Sequence, residues 1–119
     1  LVISRSGASS IADIATIGRP SILVPLKSAI RDEQSVNALS MTSVNSAISF
    51  AEDDFTVDKL ANCITKFLSS PKKAEAMAAA ALNRYSKNSV KMLSDLILNL
   101  AQGKKEVSTL AAKPSKKGT

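Results

Sequence analysis

Leu1-Val2-Ile3-Ser4-Arg5-Ser6-Gly7-Ala8-Ser9-Ser10 decides the fold. An aliphatic run of about four residues closed by Arg5-Ser6-Gly7 reads as a short strand ending in a turn, and Ala8-Ser9-Ser10 then opens a helix. Ser21-Ile22-Leu23-Val24 repeats the strand signal and stops at Pro25. Ala47-Ile48-Ser49-Phe50, followed by the acidic turn Glu52-Asp53-Asp54, is a third and weaker candidate. Continuous apolar runs this short suit a parallel sheet covered on both faces.

Helices fit between the strands. From Ser9 to Ile17 the residues Ile11, Ile14, Ala15 and Gly18 share one face, and Gly18 with Pro20 stops the helix. A second helix is expected from Asp32 to about Ser43, with Asp32 as its N-cap. Strand, helix, strand, helix, strand is half of a doubly wound nucleotide-binding sheet. Three further helices follow. Val57, Leu60, Ala61, Ile64, Phe67 and Leu68 form a stripe started by Thr56. Pro71 opens an Ala-rich helix running to about Tyr85, and Val90, Leu93, Ile97 and Leu100 stripe the last, which ends at Gly103. These later helices read as packing elements. The fold class is α/β: an incomplete doubly wound parallel sheet followed by C-terminal helices.

Three strands make a poor sheet, because an uncovered edge invites aggregation. The chain also begins at Leu1, inside the first strand. The expectation is a piece of a longer protein, whose remainder supplies the missing half.

Composition narrows the chemistry. The 119 residues suffice for one modest domain, and 45% apolar with 22% charged residues is ordinary globular usage. Aromatics are only Phe50, Phe55, Phe67 and Tyr85, so the core must be aliphatic. Histidine is absent, which removes imidazole as base or metal ligand. Cys63 is the one cysteine, so no intrachain disulfide or thiolate cluster exists. No apolar run approaches the roughly 20 residues of a membrane-spanning helix, and Arg5 and Asp13 interrupt the only early apolar stretch.

The net charge of +6 is uneven. From Gly103 onward five lysines face one acid, Glu106, while the first 102 residues carry eleven cations and nine acids. Residues 103–119 are therefore expected to form a basic disordered tail behind a domain spanning 1–102. The tail reads as a solvated end, with no nucleic-acid partner expected.

Ligands of open parallel sheets collect at the carboxyl ends of the strands. Those ends are residues 5–10, 25–34 and 51–55, which should open on one edge. In the first loop Gly7 permits a tight turn, and the amides of Ala8, Ser9 and Ser10 begin a helix. Such a start attracts phosphate through its N–H groups and dipole, without a lysine. Equally, Ser9 or Ser10 merely caps the helix. Asp13 lies one turn beyond Ser9 on the same side, with Thr16 close by. It is placed either to accept hydrogen bonds from ribose hydroxyls or to complement the helix dipole. In the second loop Gln34 and Asn37 share a helical face, and amides that donate and accept suit sugar hydroxyls; they are otherwise plain exposed helix residues. Lys27 and Arg31 could neutralise a phosphate, but single surface cations usually carry no such role.

Taken together, Leu1 to Ala8, Asp13, Gly18-Arg19-Pro20, Ile22-Leu23-Val24-Pro25 and Asp32-Glu33-Gln34-Ser35-Val36-Asn37-Ala38 occur in one order at one spacing. This pattern resembles the C-terminal part of the MurG family, closely over residues 1–60 and onward to about 102. The family transfers N-acetylglucosamine from UDP-N-acetylglucosamine to undecaprenyl-pyrophosphoryl-N-acetylmuramoyl-pentapeptide (lipid I), forming lipid II for peptidoglycan. The resemblance implies the donor-binding, C-terminal half of a glycosyltransferase-B fold. It also implies an inverting displacement with no cofactor and no metal, and peripheral association with the cytoplasmic face of the bacterial inner membrane.

Carried over by position, Ala8, Ser9 and Ser10 would hold the diphosphate and Asp13 the ribose. Gln34 would hold the sugar hydroxyls, and Asn37 would lie beside that site. No catalytic residue falls in this stretch: the base, the lipid I site and the uracil-binding segment belong to parts outside it. Asp13 stands where the family usually has Glu, one methylene longer, and no His stands near Ser28. Glu33 occupies a position where the family often has Gln or His. Two other readings remain at this point: a non-catalytic remnant or interaction module that keeps the fold, and another UDP-sugar enzyme such as an epimerase relative.

Overall fold

A computed structural model of the chain describes residues 1–84 and 89–103. The chain divides into two units, residues 1–86 and 87–119, each taken by itself.

In the first unit β1 (Val2–Ser4), β2 (Ser21–Leu23) and β3 (Ala47–Ser49) form a parallel sheet in the order β1-β2-β3. The register sets Ile3 beside Ile22 and Ile22 beside Ile48. Helix α1 (Ala8–Ile17) joins β1 to β2, and α2 (Glu33–Thr42) joins β2 to β3. Helices α3 (Val57–Leu68) and α4 (Pro71–Arg84) follow. This is the expected α/β architecture, a three-stranded parallel sheet with helices.

The core is aliphatic, as a chain poor in aromatics requires. Ile11 and Ile14 of α1, Leu23 of β2, Ala38 and Met41 of α2, Ala47 of β3 and Ala81 of α4 form one buried cluster. Fully burying a side chain the size of Ile11 or Leu23 is worth about 1.5–3 kcal/mol. Successive strand residues point to opposite faces, so Ile22, itself fully buried, belongs to the other side of the sheet. There Ile48 lines a cavity of about 180 Å³ with Cys63, Phe67 and Met77. The central strand β2 is buried along its whole length, the signature of a strand covered on both faces.

The α1 stripe of Ile11, Ile14, Ala15 and Gly18 is buried as expected. Gly18 closes the helix in the left-handed conformation (φ 61°), its N–H bonded to the Ile14 carbonyl at 3.0 Å. A Cβ there would meet Leu82 Cγ of α4 at 2.2 Å, so conformation and space both demand glycine. Thr56 caps α3, its hydroxyl accepting from the Lys59 N–H at 3.3 Å.

Two expectations are corrected here. Asp32 stands at the N-cap of α2, but its carboxylate makes no capping bond. Arg31 and Asp32 both take left-handed backbone, with φ of 57° and 55°, which aims the Asp32 side chain away from the helix amides. The α3 stripe is also rotated. Cys63 is buried and Leu60, Ile64 and Phe67 are half-buried, whereas Val57 and Leu68 are 83% and 78% exposed.

In the second unit the described residues form α5 (Ser89–Ala101), in which Lys91 pairs with Asp95 one turn on at 2.6 Å. No helix among the described residues is long and apolar enough to cross a membrane. Tyr85 and the basic tail beyond Gly103 lie outside the described residues.

Candidate functional site

Because the three strands are parallel, their carboxyl ends emerge on one edge, and the loops there touch. Ser6, fully buried behind β1, donates its hydroxyl to the Gln34 carbonyl oxygen at 2.7 Å. The Asn37 amide returns a hydrogen bond to the Ser6 carbonyl at 3.0 Å. The first and second loops are thus one assembly, although Ser6 and Asn37 are 31 residues apart.

Helix α1 starts at this assembly. Gly7 holds the N-cap position in extended backbone without a side-chain cap, and the first intrahelical bond runs from Ile11 N–H to the Gly7 carbonyl at 3.0 Å. The amides of Ala8, Ser9 and Ser10 precede that bond, so they have no acceptor within the helix. Ser9 and Ser10 do not cap the helix, since the cap position is Gly7. The groups offered to an anion are therefore three amides, two hydroxyls and the positive end of the α1 dipole.

Asp13 is exposed and is the sixth residue of α1, past the first turn, where interaction with the helix dipole has faded. No hydrogen bond or ion pair to it exists among the described residues, while neighbouring Thr16 bonds the Ala12 carbonyl at 2.7 Å. The dipole-complement reading is the weaker one on this geometry.

Gln34 is held from two sides. Its side-chain Oε1 accepts from the Leu26 N–H at 3.0 Å, and its carbonyl takes the Ser6 hydroxyl. With one lone pair of Oε1 engaged, the side chain keeps its second lone pair and both NH₂ donors. Asn37 is tied by its own NH₂ to Ser6, which leaves Oδ1 as its acceptor. The six residues expected to bind the donor thus fall in two places: Ala8, Ser9, Ser10 and Asp13 on α1, Gln34 and Asn37 on α2. The Ser6 bonds join them.

Charge pairings that the sequence does not show complete the edge. Arg5 Nη2 pairs with Glu52 Oε1 at 2.6 Å, and Arg5 Nη1 donates to the carbonyls of Val24 and Pro25 at 3.3 and 3.4 Å. Glu52 Oε2 accepts the Lys27 N–H at 3.0 Å. The Lys27 amide and the Arg5 guanidinium hold the Glu52 carboxyl below the usual glutamate range. Lys27 Nζ pairs with Asp53, which raises the lysine above its ordinary value. Lys27 is thus already engaged in a pair, while Arg31 is exposed on its left-handed turn. Arg5 and Glu52 are 47 residues apart, and no spacing rule in the sequence joins them.

A cleft of about 430 Å³ lies beside this network, lined by Pro25, Lys27, Asp32, Ser35, Leu39, Thr42, Phe50 and Glu52 among others. It uses a different face of α2 from the one carrying Gln34 and Asn37. Among the described residues no group of three or more His, Cys, Asp and Glu is placed to hold a metal ion.

Residues 1–109 match the glycosyltransferase family 28 C-terminal domain. The chain is 45% identical over 101 residues to the UDP-N-acetylglucosamine–N-acetylmuramyl-(pentapeptide) pyrophosphoryl-undecaprenol N-acetylglucosamine transferase of Bradyrhizobium sp. strain BTAi1, covering 85% of this chain and 28% of that protein. The similarly named transferase of Caulobacter vibrioides is 42% identical over 102 residues, covering 86% of this chain and 28% of its own. The crystal structure of Acinetobacter baumannii MurG superposes with a TM-score of 0.72 at 26% identity, covering 82% of this chain and 30% of that one. The chain therefore spans less than a third of the length of the relatives it matches.

Proposed function

Since this chain belongs to the glycosyltransferase family 28 C-terminal domain family, we propose that it is the donor-binding part of an inverting transferase. That enzyme moves N-acetylglucosamine from UDP-N-acetylglucosamine to lipid I and so forms lipid II. In this reading residues 1–102 are a fragment of the donor-binding domain of a glycosyltransferase-B fold, and the residues beyond form its tail.

The observation that carries the proposal is the Ser6 junction. It joins a helix start suited to a diphosphate to an amide pair suited to sugar hydroxyls, on the edge where a parallel sheet binds ligands. The α1 start takes the diphosphate through the amides of Ala8, Ser9 and Ser10, Asp13 takes the ribose, and Gln34 takes the sugar hydroxyls beside Asn37.

The reaction follows from that placement. An acceptor hydroxyl of lipid I attacks the anomeric carbon, the bond from that carbon to the diphosphate oxygen breaks, and the configuration inverts. UDP leaves with the bonding electron pair, and its developing charge falls on donors already oriented toward it. Preorganised donors of this kind lower the barrier because they need no rearrangement as charge develops. The acceptor proton goes to a base in the other half of the enzyme, where lipid I also binds. Peripheral attachment to the cytoplasmic face of the inner membrane suits a lipid-linked acceptor.

A second reading has its own observation. Asp13 is one methylene shorter than the family's usual Glu, which fits a remnant that keeps the fold without turnover. The test is transfer of radiolabelled N-acetylglucosamine from its UDP donor to lipid I by the full-length protein. Lipid II formation that falls at least tenfold on Gln34→Ala supports the proposal. No transfer by a folded protein that still binds the donor supports the remnant.

A further inference from the structure

Six residues at the sheet edge close a circuit of four hydrogen bonds and two covalent links. Arg5 pairs with Glu52, Glu52 accepts from the Lys27 amide, and the adjoining Leu26 amide donates to the Gln34 side chain. The Gln34 carbonyl takes the Ser6 hydroxyl, and Ser6 is covalently next to Arg5. The circuit passes once through each loop: after β1, after β2 and after β3. Arg5 also clamps the Val24 and Pro25 carbonyls inside it.

We propose that Arg5 and Glu52 are positioning residues of the donor site, fixing the Gln34 amide relative to the amides of Ala8, Ser9 and Ser10. The proposal rests on the donor-site reading above and adds to it a pair that acts through its neighbours. Sugar and diphosphate are joined by the bond that breaks, so the two ends of the site must keep one spacing. A displacement of an ångström at such a site costs rate heavily even when every ligand-binding residue is present. Glu52 sets this spacing by holding the second loop at Lys27, one residue from the bond that orients Gln34. Arg5 sets it by joining Glu52 to the loop that becomes α1.

Bulk stability gives a poor account of the pair. The Arg5 and Glu52 side chains are 48% and 33% exposed, and ion pairs that open to solvent add little to global stability. What the pair does reach is three loops at once.

The test compares UDP with UDP-N-acetylglucosamine by titration calorimetry on the full-length protein and on its Arg5→Ala, Glu52→Ala, Glu52→Gln and double Arg5→Ala/Glu52→Ala variants. The expected result is that either alanine variant loses about tenfold in affinity for the sugar nucleotide and less than about twofold for UDP. The double variant is no worse than either single one, because both remove the same element. Glu52→Gln, which still offers an oxygen to the Lys27 amide, retains part of the affinity. Equal weakening of both ligands marks a merely structural pair and overturns the proposal, as does unchanged binding in every variant. Failure of the unsubstituted protein to bind the sugar nucleotide overturns the donor-site reading instead, and this inference with it.

Discussion

The Ser6 hydroxyl and the Gln34 carbonyl oxygen lie 2.7 Å apart, and this bond, with the Asn37 amide bonded back to Ser6, fastens the start of α1 to the start of α2. A serine with no exposed surface is thereby the joint between the two halves of the candidate site.

Ser6→Ala removes the donor and leaves the Gln34 carbonyl short of a partner. Losing one part-buried hydrogen bond costs about 0.5–1.5 kcal/mol net. The expected outcome is a loss of that size in urea unfolding, together with weaker donor binding. Unchanged stability would show that water replaces the hydroxyl.

Gly18→Ala is expected to be more damaging. Left-handed backbone costs a residue with a Cβ about 1–2 kcal/mol, and overpacking against Leu82 adds about 1–3 kcal/mol. Leu82→Ala should return part of that loss, so the double variant is more stable than the sum of its parts indicates. Thermal unfolding of the four proteins checks it. Strict additivity would place the cost in the backbone alone.

The helices and strands were legible in the sequence because aliphatic spacing, Gly18 and Pro71 are local signals, and local signals set where elements begin and end. What joins the loops was not. Arg5 and Glu52 look like unrelated surface charges until the parallel sheet brings their loops together, and Ser6 looks like a turn residue until its hydroxyl is buried. Asp32 misled because its sequence position suits a cap while its backbone turns left-handed together with Arg31. The α3 stripe is narrower than its period suggests because Val57 and Leu68 at its two ends share the period yet stay exposed among the described residues. The helix start at Ala8 was legible because a strand closed by a glycine turn is a local signal.

Glu52 sets a pH dependence. Its carboxyl is held below the ordinary range first by the Lys27 amide and then by the Arg5 guanidinium, against burial and the like charge of Asp53. A depressed carboxyl contributes stability above its unfolded-state value, and that contribution is lost as pH falls through the folded-state value. The small stability advantage over Glu52→Gln is therefore expected to be full at neutral pH and to disappear in acid, below the ordinary glutamate range of about 4.3. Unfolding of both proteins from neutral to acid pH measures this, and a constant difference would contradict it.

The central claim is that this chain holds the donor nucleotide sugar. Calorimetric titration of the full-length protein with UDP-N-acetylglucosamine, and in parallel with GDP-mannose, tests it most directly. The account predicts saturable binding of the first and not of the second, weakened by Asp13→Ala and by Gln34→Ala. A folded protein that binds neither ligand, or binds UDP-N-acetylglucosamine as tightly after both substitutions, would contradict it.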